Sequence, residues 1–248
     1  MSLEKSSIIV IPDVHGRVFW KKVINSNLPI VFLGDYLDPY YWEHISFDNA
    51  MDNFKEIIEF KKKHKDQVTL LLGNHDAHYV GLSPDYCRMS FMHASKAFEL
   101  YNQNKDLFQF AYKWNNTLFT HAGVNTKWLA ENKIPENVDK VVDLLNFQKI
   151  FTFEYVLDAA ISGMGSQNFS ICQIGRSRGG DSPYGSPIWG NISEMGLYPA
   201  FKDSIIQIFG HSQLEETGSF IHEDNWYMCD SRDVFIWDGK ELKNFLAN

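Results

Sequence analysis

Cysteine is scarce in this sequence. Only three occur among 248 residues, at Cys87, Cys172 and Cys229, and they lie far apart along the chain. An odd number at such wide spacing does not form a disulfide framework, and it lacks the close pairs of a zinc knuckle. We therefore predict reduced thiols in a cytoplasmic protein.

Long apolar runs and an excess of basic residues are also missing. No continuous apolar stretch approaches the ~20 residues that a membrane-spanning helix needs, and the first seven residues lack the apolar core of a signal peptide. Lys and Arg number 23 against 31 Asp and Glu, a formal net charge of −8. A sequence-independent nucleic-acid binder needs a basic face. We therefore expect neither a membrane partner nor that mode of nucleic-acid binding.

The apolar content is high enough for a substantial core. Apolar residues make up 44% of the chain and aromatic residues 15%, which excludes global disorder. The length and the lack of a linker predict a single domain over residues 1–248, with helical insertions near residues 83–115 and 126–165.

Short apolar, β-branched runs recur and predict strands that are buried on both faces. They cover residues 8–11, 30–33, 68–72, 118–119 and 205–209. Apolar residues at three- and four-residue steps predict a helix over residues 46–65, and a short helix is expected over residues 17–27. Alternation in the final third predicts antiparallel strands. The pattern predicts an α/β fold.

Motifs of glycine and polar residues follow the apolar runs. They are Asp13-Val-His15-Gly16, Gly34-Asp35-Tyr-Leu-Asp38, Gly73-Asn74-His75-Asp76, Thr120-His121-Ala-Gly123, Gly175-Arg-Ser-Arg178-Gly-Gly180 and Gly210-His211-Ser212. Open α/β sheets bind ligands at the carboxyl ends of their strands. Residues distant in sequence are therefore expected to meet at one sheet edge.

Six side chains in these motifs are candidate metal ligands: Asp13, His15, Asp35, Asn74, His121 and His211. We assign Asp13, His15 and Asp35 to one ion. The second ion is assigned to Asp35, Asn74, His121 and His211, so that Asp35 is the bridging carboxylate. Nitrogen and oxygen ligands without sulfur favour Mn, Fe or Zn. Two such ions clamp both oxygens of an in-line displacement, and a bridging hydroxide would be the nucleophile.

Two further residues are candidates for proton transfer. His75 adjoins the ligand Asn74 and is expected to donate a proton to the leaving group. Asp38, three residues after Asp35, is expected to keep the imidazole of His75 protonated and oriented. The motifs together predict a phosphoesterase that forms no covalent phospho-enzyme.

The motif set resembles the calcineurin-like metallophosphoesterases. Within them it is similar to the branch of Ser/Thr phosphoprotein phosphatases and symmetrical diadenosine tetraphosphatases, whose motifs read GD-x-HG, GD-x-x-DRG, GNH-[DE], H-[AG]-G and GH. The resemblance covers residues 8 to about 238. It implies a four-layer αββα sandwich of two mixed β-sheets flanked by helices, and it implies the same metal ligands.

One position departs from the resemblance. Where the family has a phosphate-gripping arginine after the second acidic residue, this chain has Pro39. A guanidinium from the 175–189 segment could bind phosphate in its place. Arg178 is the first candidate, Arg176 the second, and Arg17 a weaker third.

Three functions remain open at this point. The first is a phosphatase acting on a phosphoprotein or a small phosphoester, and the second is a dinucleoside polyphosphate hydrolase. Residues Tyr40, Tyr41 and Trp42 could stack on a base in that second case, or they pack within a loop. The third function is that of a non-catalytic, metal-containing binding protein. The other histidines, His44, His64, His78, His93 and His222, are expected on the surface or in the core; His78, three residues past His75, is the exception to watch.

Overall fold

The computed structural model describes residues 7–81, 88–148 and 170–245. Its strands are β1 Ile8–Ile11, β2 Ile30–Phe32, β3 Val68–Leu71, β4 Phe108–Gln109, β5 Ala111–Trp114, β6 Thr117–Thr120, β7 Ile206–Phe209, β8 Ile221–Glu223, β9 Trp226–Met228, β10 Phe235–Trp237 and β11 Leu242–Asn244. Its α-helices, numbered in chain order, are α1 Phe47–Lys63, α2 Asn74–Tyr79, α3 Ala94–Gln103, α4 Thr126–Glu131, α5 Val138–Gln148 and α6 Ile192–Leu197.

These strands form two mixed sheets. The first sheet has the order β11-β10-β1-β2-β3-β4, in which β1 to β4 run parallel and β10 and β11 are antiparallel to their neighbours. The second sheet has the order β5-β6-β7-β9-β8, with β6, β7 and β9 parallel and β5 and β8 antiparallel at its edges. Parallel neighbours bring the carboxyl ends of β1, β2 and β3 to one edge, as β6 and β7 do in the second sheet.

Side chains alternate between two cores along β1. Ile8 and Val10 belong to the apolar cluster that also contains Phe119 and Ile208 of the second sheet, so this cluster lies between the sheets. Ile9 points to the opposite face, into the cluster that contains the side chains of α1. A strand that is buried on both faces has to be apolar throughout, which explains the unbroken apolar run of β1.

Helices cover both outer faces. On the first sheet, Phe54 and Ile57 of α1 are fully buried, and the side chain of Ser46 caps this helix by accepting from the N–H of Asn49. On the second sheet, α4 and α5 share a core with Leu118, and Met195 of α6 packs with other buried side chains of that sheet. The fold is therefore an αββα sandwich of two mixed sheets, as predicted.

Two local expectations differ from the structure, and a third can be followed only in part. Residues 17–27 contain a 3-10 helix at Phe19–Val23 and no α-helix. In the described part of the insertion predicted near 83–115, residues 88–115, only α3 is α-helical, and the last part forms β4 and β5. In the 126–165 insertion, α4 and α5 are helical, residues 132–137 join them without a helix, and residues 149–165 lie outside the described residues.

Two cysteines are described, and both are free thiols: Cys172 is partly buried and Cys229 fully buried. Cys87 lies outside the described residues. Across residues 7–81, 88–148 and 170–245, no helix has the length and apolarity that crossing a bilayer demands.

Candidate metal centre

The two sheets meet where their parallel strands end. The N–H of His211, after β7, donates to both carboxylate oxygens of Asp13, after β1, each at 3.1 Å. His121, after β6, donates from Nδ1 to the carbonyl of Leu33 at 2.9 Å. These contacts join loops of the first sheet to loops of the second, and they gather all six predicted metal ligands at one edge.

Four of the predicted ligands present their donor atoms to one another. The Oδ1 atom of Asn74 lies 2.9 Å from His121 Nε2 and 2.9 Å from His211 Nδ1, and these two nitrogens are 3.1 Å apart. Asp35 Oδ2 lies 3.5 Å from His121 Nε2. Because the Nδ1 proton of His121 is directed to the Leu33 carbonyl, its Nε2 presents a lone pair to the oxygens of Asn74 and Asp35.

The other predicted ligands lie beside this group. His15 donates from Nδ1 to the carbonyl of Leu37 at 2.8 Å, so that its Nε2 faces Asp35 Oδ2 at 3.5 Å. Ligand atoms of Asp13, Asp35 and His121 all lie within 4.8 Å of one another, and so do those of His15, Asp35 and His75. Asp35 belongs to both groups, which is the position that a bridging carboxylate requires.

Two glycines allow the ligands to approach this closely. A Cβ atom at Gly73 would lie 2.1 Å from Asp35 Oδ1, and one at Gly210 would lie 2.1 Å from Asp13 Oδ1. Any larger residue would therefore displace a carboxylate of the cluster.

Several site residues have left-handed backbone conformations. The φ angles are 43° at His15, 53° at Asp35, 59° at Asp38 and 70° at His211. Such conformations are costly outside glycine and concentrate at functional sites. In these conformations the backbone turns sharply away after each strand, while the side chain remains in the cluster.

Burial and like charges destabilise the ionised carboxylates. Burial, followed by the charges of Asp230 and Asp35, raises the pKa of Asp13 well above its usual range. Burial, followed by the charge of Asp76, does the same to the pKa of Asp35. Burial also raises the pKa of Asp230, to about 6. A bound cation would remove this penalty.

The histidines of the cluster are held neutral. Burial lowers the pKa of His121 to about 3. Burial, and then the charge of His75, lowers the pKa of His15 well below its usual value, and burial with the charge of His121 does so for His211. A neutral imidazole has a free nitrogen lone pair, and this is the form that binds metal. Buried carboxylates, neutral imidazoles and facing lone pairs together fit a metal cation.

His75 and Asp38 are in contact at the edge of the cluster. His75 Nδ1 lies 2.9 Å from Asp38 Oδ2, and the same oxygen lies 2.8 Å from Nε2 of His78. The hydroxyl of Tyr79 donates to the second oxygen of Asp38. Burial alone would raise the pKa of Asp38, but the bonds from His75 and His78 lower it below its usual value. Asp38 is thus a buried carboxylate that orients two imidazoles.

The three arginines proposed from sequence have different surroundings. Arg178 is half-buried, and its Nη2 donates to the hydroxyl of Ser212, next to His211, at 2.5 Å. Arg176 is exposed. The Nε atom of Arg17 lies 2.9 and 3.0 Å from the two oxygens of Glu43, in a buried ion pair. Arg17 also donates from Nη1 to the backbone carbonyl of the ligand candidate Asp13 at 3.3 Å, but the Glu43 carboxylate already pairs with its Nε. Arg178 contacts Ser212 beside His211 and is not paired with a carboxylate among the described residues.

Sequence reasoning gave no role to four further residues near the cluster: Asp76, His78, Arg88 and Asp230. Asp76 stands within one of the motifs. The three-residue spacing of His78 from His75 places these two histidines on one helix face. The sequence therefore contained a sign of both Asp76 and His78. Arg88 and Asp230 left none that we can identify.

The comparisons agree with this geometry. The model of the calcineurin-like phosphoesterase family matches residues 6–212, so the chain belongs to that family. No curated protein matches the sequence.

Similar solved structures include a cold-active protein tyrosine phosphatase of a psychrophilic Shewanella species. The identity is 15% and the TM-score 0.54, and the match covers 96% of this chain and 76% of that one. A mutant of a cold-active protein tyrosine phosphatase matches with a TM-score of 0.55 and 16% identity, covering 96% and 76% of the two chains. At this identity the likeness shows the fold.

Proposed function

We propose that this chain is a metal-dependent phosphatase that hydrolyses phosphomonoesters with two divalent or trivalent ions. The observation that carries the proposal is the facing set of donor atoms on Asp35, Asn74, His121 and His211, with His75 beside it. A cation site next to a histidine that can donate a proton is the arrangement that ester hydrolysis requires. Membership of the calcineurin-like phosphoesterase family supports it.

The residues divide into two ligand sets that share one carboxylate. Asp13, His15 and Asp35 would hold one ion, and Asp35 with Asn74, His121 and His211 would hold the other. When bound, the ions supply Lewis-acid polarisation of the phosphate and acidify water for attack. Mn, Fe and Zn all suit this mixture of nitrogen and oxygen ligands.

The chain's own groups perform the remaining steps. Asp38 accepts from Nδ1 of His75, so the other ring nitrogen, Nε2, faces the cluster. The imidazolium form, which carries a proton on both nitrogens and is stabilised by the Asp38 carboxylate, would donate the Nε2 proton to the departing oxygen. Arg178, held by Ser212 next to His211, supplies a guanidinium for the phosphate oxygens. Asp13, Asp35 and His121 are almost fully buried, so their attraction to a bound cation would be weakly screened by water.

A combined metal and turnover measurement tests the proposal. Protein purified without chelator is analysed for metal content and assayed with p-nitrophenyl phosphate and added Mn²⁺. Asp35→Asn should lose metal and turnover together, because the shared charge is removed. Asp224→Asn is the matched control, since Asp224 is exposed and paired only with Lys202 among the described residues. Normal metal content and rate in Asp35→Asn would contradict the assignment.

One observation favours a second candidate function, the hydrolysis of dinucleoside polyphosphates. Tyr41 and Trp42 are 85% and 53% exposed, and Trp42 lies 4.5 Å from the Tyr40 ring, centroid to centroid, beside His15. Exposed rings at this place could stack on a base. A panel of phosphopeptides and diadenosine tetraphosphate separates the two functions. Trp42→Ala should weaken turnover of the dinucleotide alone. A protein that binds metal and turns over neither class would instead be a binding protein.

A further inference from the structure

Arg88 places a guanidinium beside the candidate proton donor. Its Nη2 lies 2.9 Å from His75 Nε2 and 3.4 Å from His15 Nε2. The opposite ring nitrogens are engaged elsewhere, His75 Nδ1 with Asp38 and His15 Nδ1 with the Leu37 carbonyl. The two Nε2 atoms therefore face one place, and since a guanidinium can only donate, they accept from Nη2 of Arg88.

The Tyr40 ring holds this guanidinium. The central carbon of the Arg88 guanidinium lies 3.6 Å from the centroid of the Tyr40 ring, which is close for a cation–π contact. Tyr40 is itself packed against His15 at 5.1 Å and Trp42 at 4.5 Å between ring centroids. Within the described residues, no carboxylate forms an ion pair with Arg88, and its buried Nη1 has no hydrogen-bond partner. Arg88 is thus oriented without having its charge neutralised by any described residue.

Arg17 provides an internal contrast. It also lies near Tyr40, at 5.4 Å from the ring centroid, but the Glu43 carboxylate occupies its Nε. A guanidinium that is already paired has less capacity to bind an anion, whereas one oriented by an aromatic face keeps its hydrogen-bond donors.

The position of Arg88 follows from the chemistry expected of His75. A proton leaving His75 Nε2 must reach the departing oxygen, so the phosphoryl group has to lie within hydrogen-bond distance of that nitrogen. Arg88 Nη2 lies 2.9 Å from the same atom, so a phosphoryl oxygen that binds there would meet the guanidinium and could accept from it in place of His75 Nε2. Arg178 is next to His211 and Ser212, which belong to the other part of the cluster.

We propose that Arg88 is a phosphate-binding residue of this site and that the Tyr40 ring positions it. Arg88 would supply the guanidinium that the chain lacks at Pro39, from a different segment of the chain. This inference rests on the proposed phosphatase function, and it adds Arg88 to Arg178, the first of the three alternative arginines that the sequence offered. Two guanidinium groups would then bind the phosphate from the His75 side and the His211 side.

Binding of inorganic phosphate to Mn²⁺-loaded protein, measured by calorimetry, tests the inference without turnover. Arg88→Ala should weaken phosphate binding about ten- to a hundredfold, the usual cost of a charge-assisted bidentate contact. Arg88→Lys should recover part of the loss, because an ammonium lacks the planar fork. Lys96→Ala is the matched control: it removes one exposed positive charge from the nearby helix α3 and should change nothing.

Tyr40→Leu tests the positioning step. It should weaken phosphate binding about two- to tenfold, the range of a cation–π contact. In the Arg88→Ala background the same change should have little further effect, because the group that Tyr40 positions is gone. Independent losses from the two changes would overturn the positioning role.

Metal content and turnover complete the test. Metal content should stay unchanged in all these variants, and kcat/KM for p-nitrophenyl phosphate should fall in parallel with phosphate affinity. Unchanged phosphate affinity in Arg88→Ala, or loss of metal along with it, would overturn the assignment of Arg88. Phosphate binding without hydrolysis of any phosphoester by the wild-type protein would instead overturn the proposed function and leave Arg88 to be judged by affinity alone.

Discussion

His75 has two ring nitrogens with different surroundings, and this makes its role testable. Nδ1 is fixed by the Asp38 carboxylate at 2.9 Å, whereas Nε2 faces the cluster. Burial lowers the pKa of His75, and the Asp38 carboxylate opposes that effect. Since His75 lies within 4.8 Å of ligand atoms of His15 and Asp35, it could in principle bind metal as well. Proton donor and metal ligand are therefore the two roles to separate.

We predict that His75→Asn keeps the metal and loses rate. General acid catalysis contributes about 10²–10⁴-fold, so phenyl phosphate, which has a poor leaving group, should slow by that factor. Hydrolysis of p-nitrophenyl phosphate should slow much less, because nitrophenolate leaves without a proton. His222→Asn, on the exposed edge strand β8, is the control. Equal losses for both substrates would point to binding by His75, and loss of metal would make it a ligand.

Single-residue roles were only partly visible in the sequence. The six ligand candidates could be proposed because each has a ligand side chain at a strand end beside glycine, and the structure brings them together. Arg88 could not, because its contact with His75 depends on the path of the chain after α2, which no periodicity encodes. His78 was expected on the surface or in the core. It is buried, but against Asp38 of the site.

At the scale of elements, Asp76 joins the loop after β2 to the turn between β3 and α2. Its Oδ2 accepts from the N–H groups of Asp35 at 2.6 Å and Gly73 at 2.7 Å. Its Oδ1 accepts from the N–H of Tyr36 and the hydroxyl of Tyr101. Four donors on one fully buried carboxylate fix the two loops that carry Asp35 and Asn74 relative to each other.

We predict that Asp76→Asn destabilises the protein by about 2–6 kcal/mol. The new amide would face two N–H donors with an NH₂ group, and each buried donor left without a partner costs about 1–3 kcal/mol. Denaturant unfolding measures the loss, and metal affinity should fall with it. Asp52→Asn, which changes an exposed carboxylate on α1, should cost less than about 0.5 kcal/mol. If Asp76→Asn also cost less than about 0.5 kcal/mol, the loops that carry Asp35 and Asn74 would have to be held together by other contacts.

The strands and the first long helix were predictable because their patterns are local. β1 to β3 and α1 lie within a residue or two of the predicted bounds. The helix expected over 17–27 is confined to the 3-10 helix Phe19–Val23, for a reason that is not local. The carbonyl of Arg17, which would accept the first helical hydrogen bond, accepts instead from Nδ2 of Asn53 on α1 at 3.0 Å. The same Asn53 accepts from the indole of Trp20, so the segment is fixed by a tertiary contact.

At the scale of the whole molecule, the two ends of the described chain are held together. β1 lies between β2 and β10, so a strand from the start of the chain pairs with one from its end. The indole of Trp237 on β10 donates to the hydroxyl of Thr117 on β6 at 2.8 Å and links the two sheets through their shared core. The site therefore depends on long-range pairing, because its ligands come from strands on both sides of this core.

Asp233 also connects the start of the chain to its end, through an ion pair with Lys22. It lies just before β10, and its Oδ1 is 2.6 Å from the ammonium of Lys22 and accepts from the N–H of Val234. Its other oxygen accepts from Asn244 on β11. Burial alone would raise the pKa of Asp233, but Lys22, Asn244 and Val234 outweigh it and hold the pKa below its usual value. The ionised carboxylate thus favours the folded state.

The sign of this pKa shift predicts how the contribution varies with pH. A carboxyl whose pKa is depressed on folding stabilises the protein above its unfolded pKa, about 3.9, and the stabilisation is lost as pH falls through the folded pKa. We predict that Asp233→Asn lowers the Tm by about 2–4 °C or less near pH 7, since a partly buried pair whose lysine is still open to solvent contributes about 1 kcal/mol at most. The difference from wild type should shrink below about pH 4. Lys22→Met should lower the Tm similarly, and the double variant should lose little more.

Thermal unfolding at pH 7, 5 and 3 measures these differences. Asp224→Asn provides the control, because it removes the same charge from an exposed pair with Lys202 and should leave the Tm nearly unchanged at each pH. A constant difference between wild type and Asp233→Asn across the range would assign the effect to the neutral hydrogen bonds with Val234 and Asn244. A difference that grows on acidification would contradict the depressed pKa, because only a carboxyl more easily protonated in the folded state gains stability there.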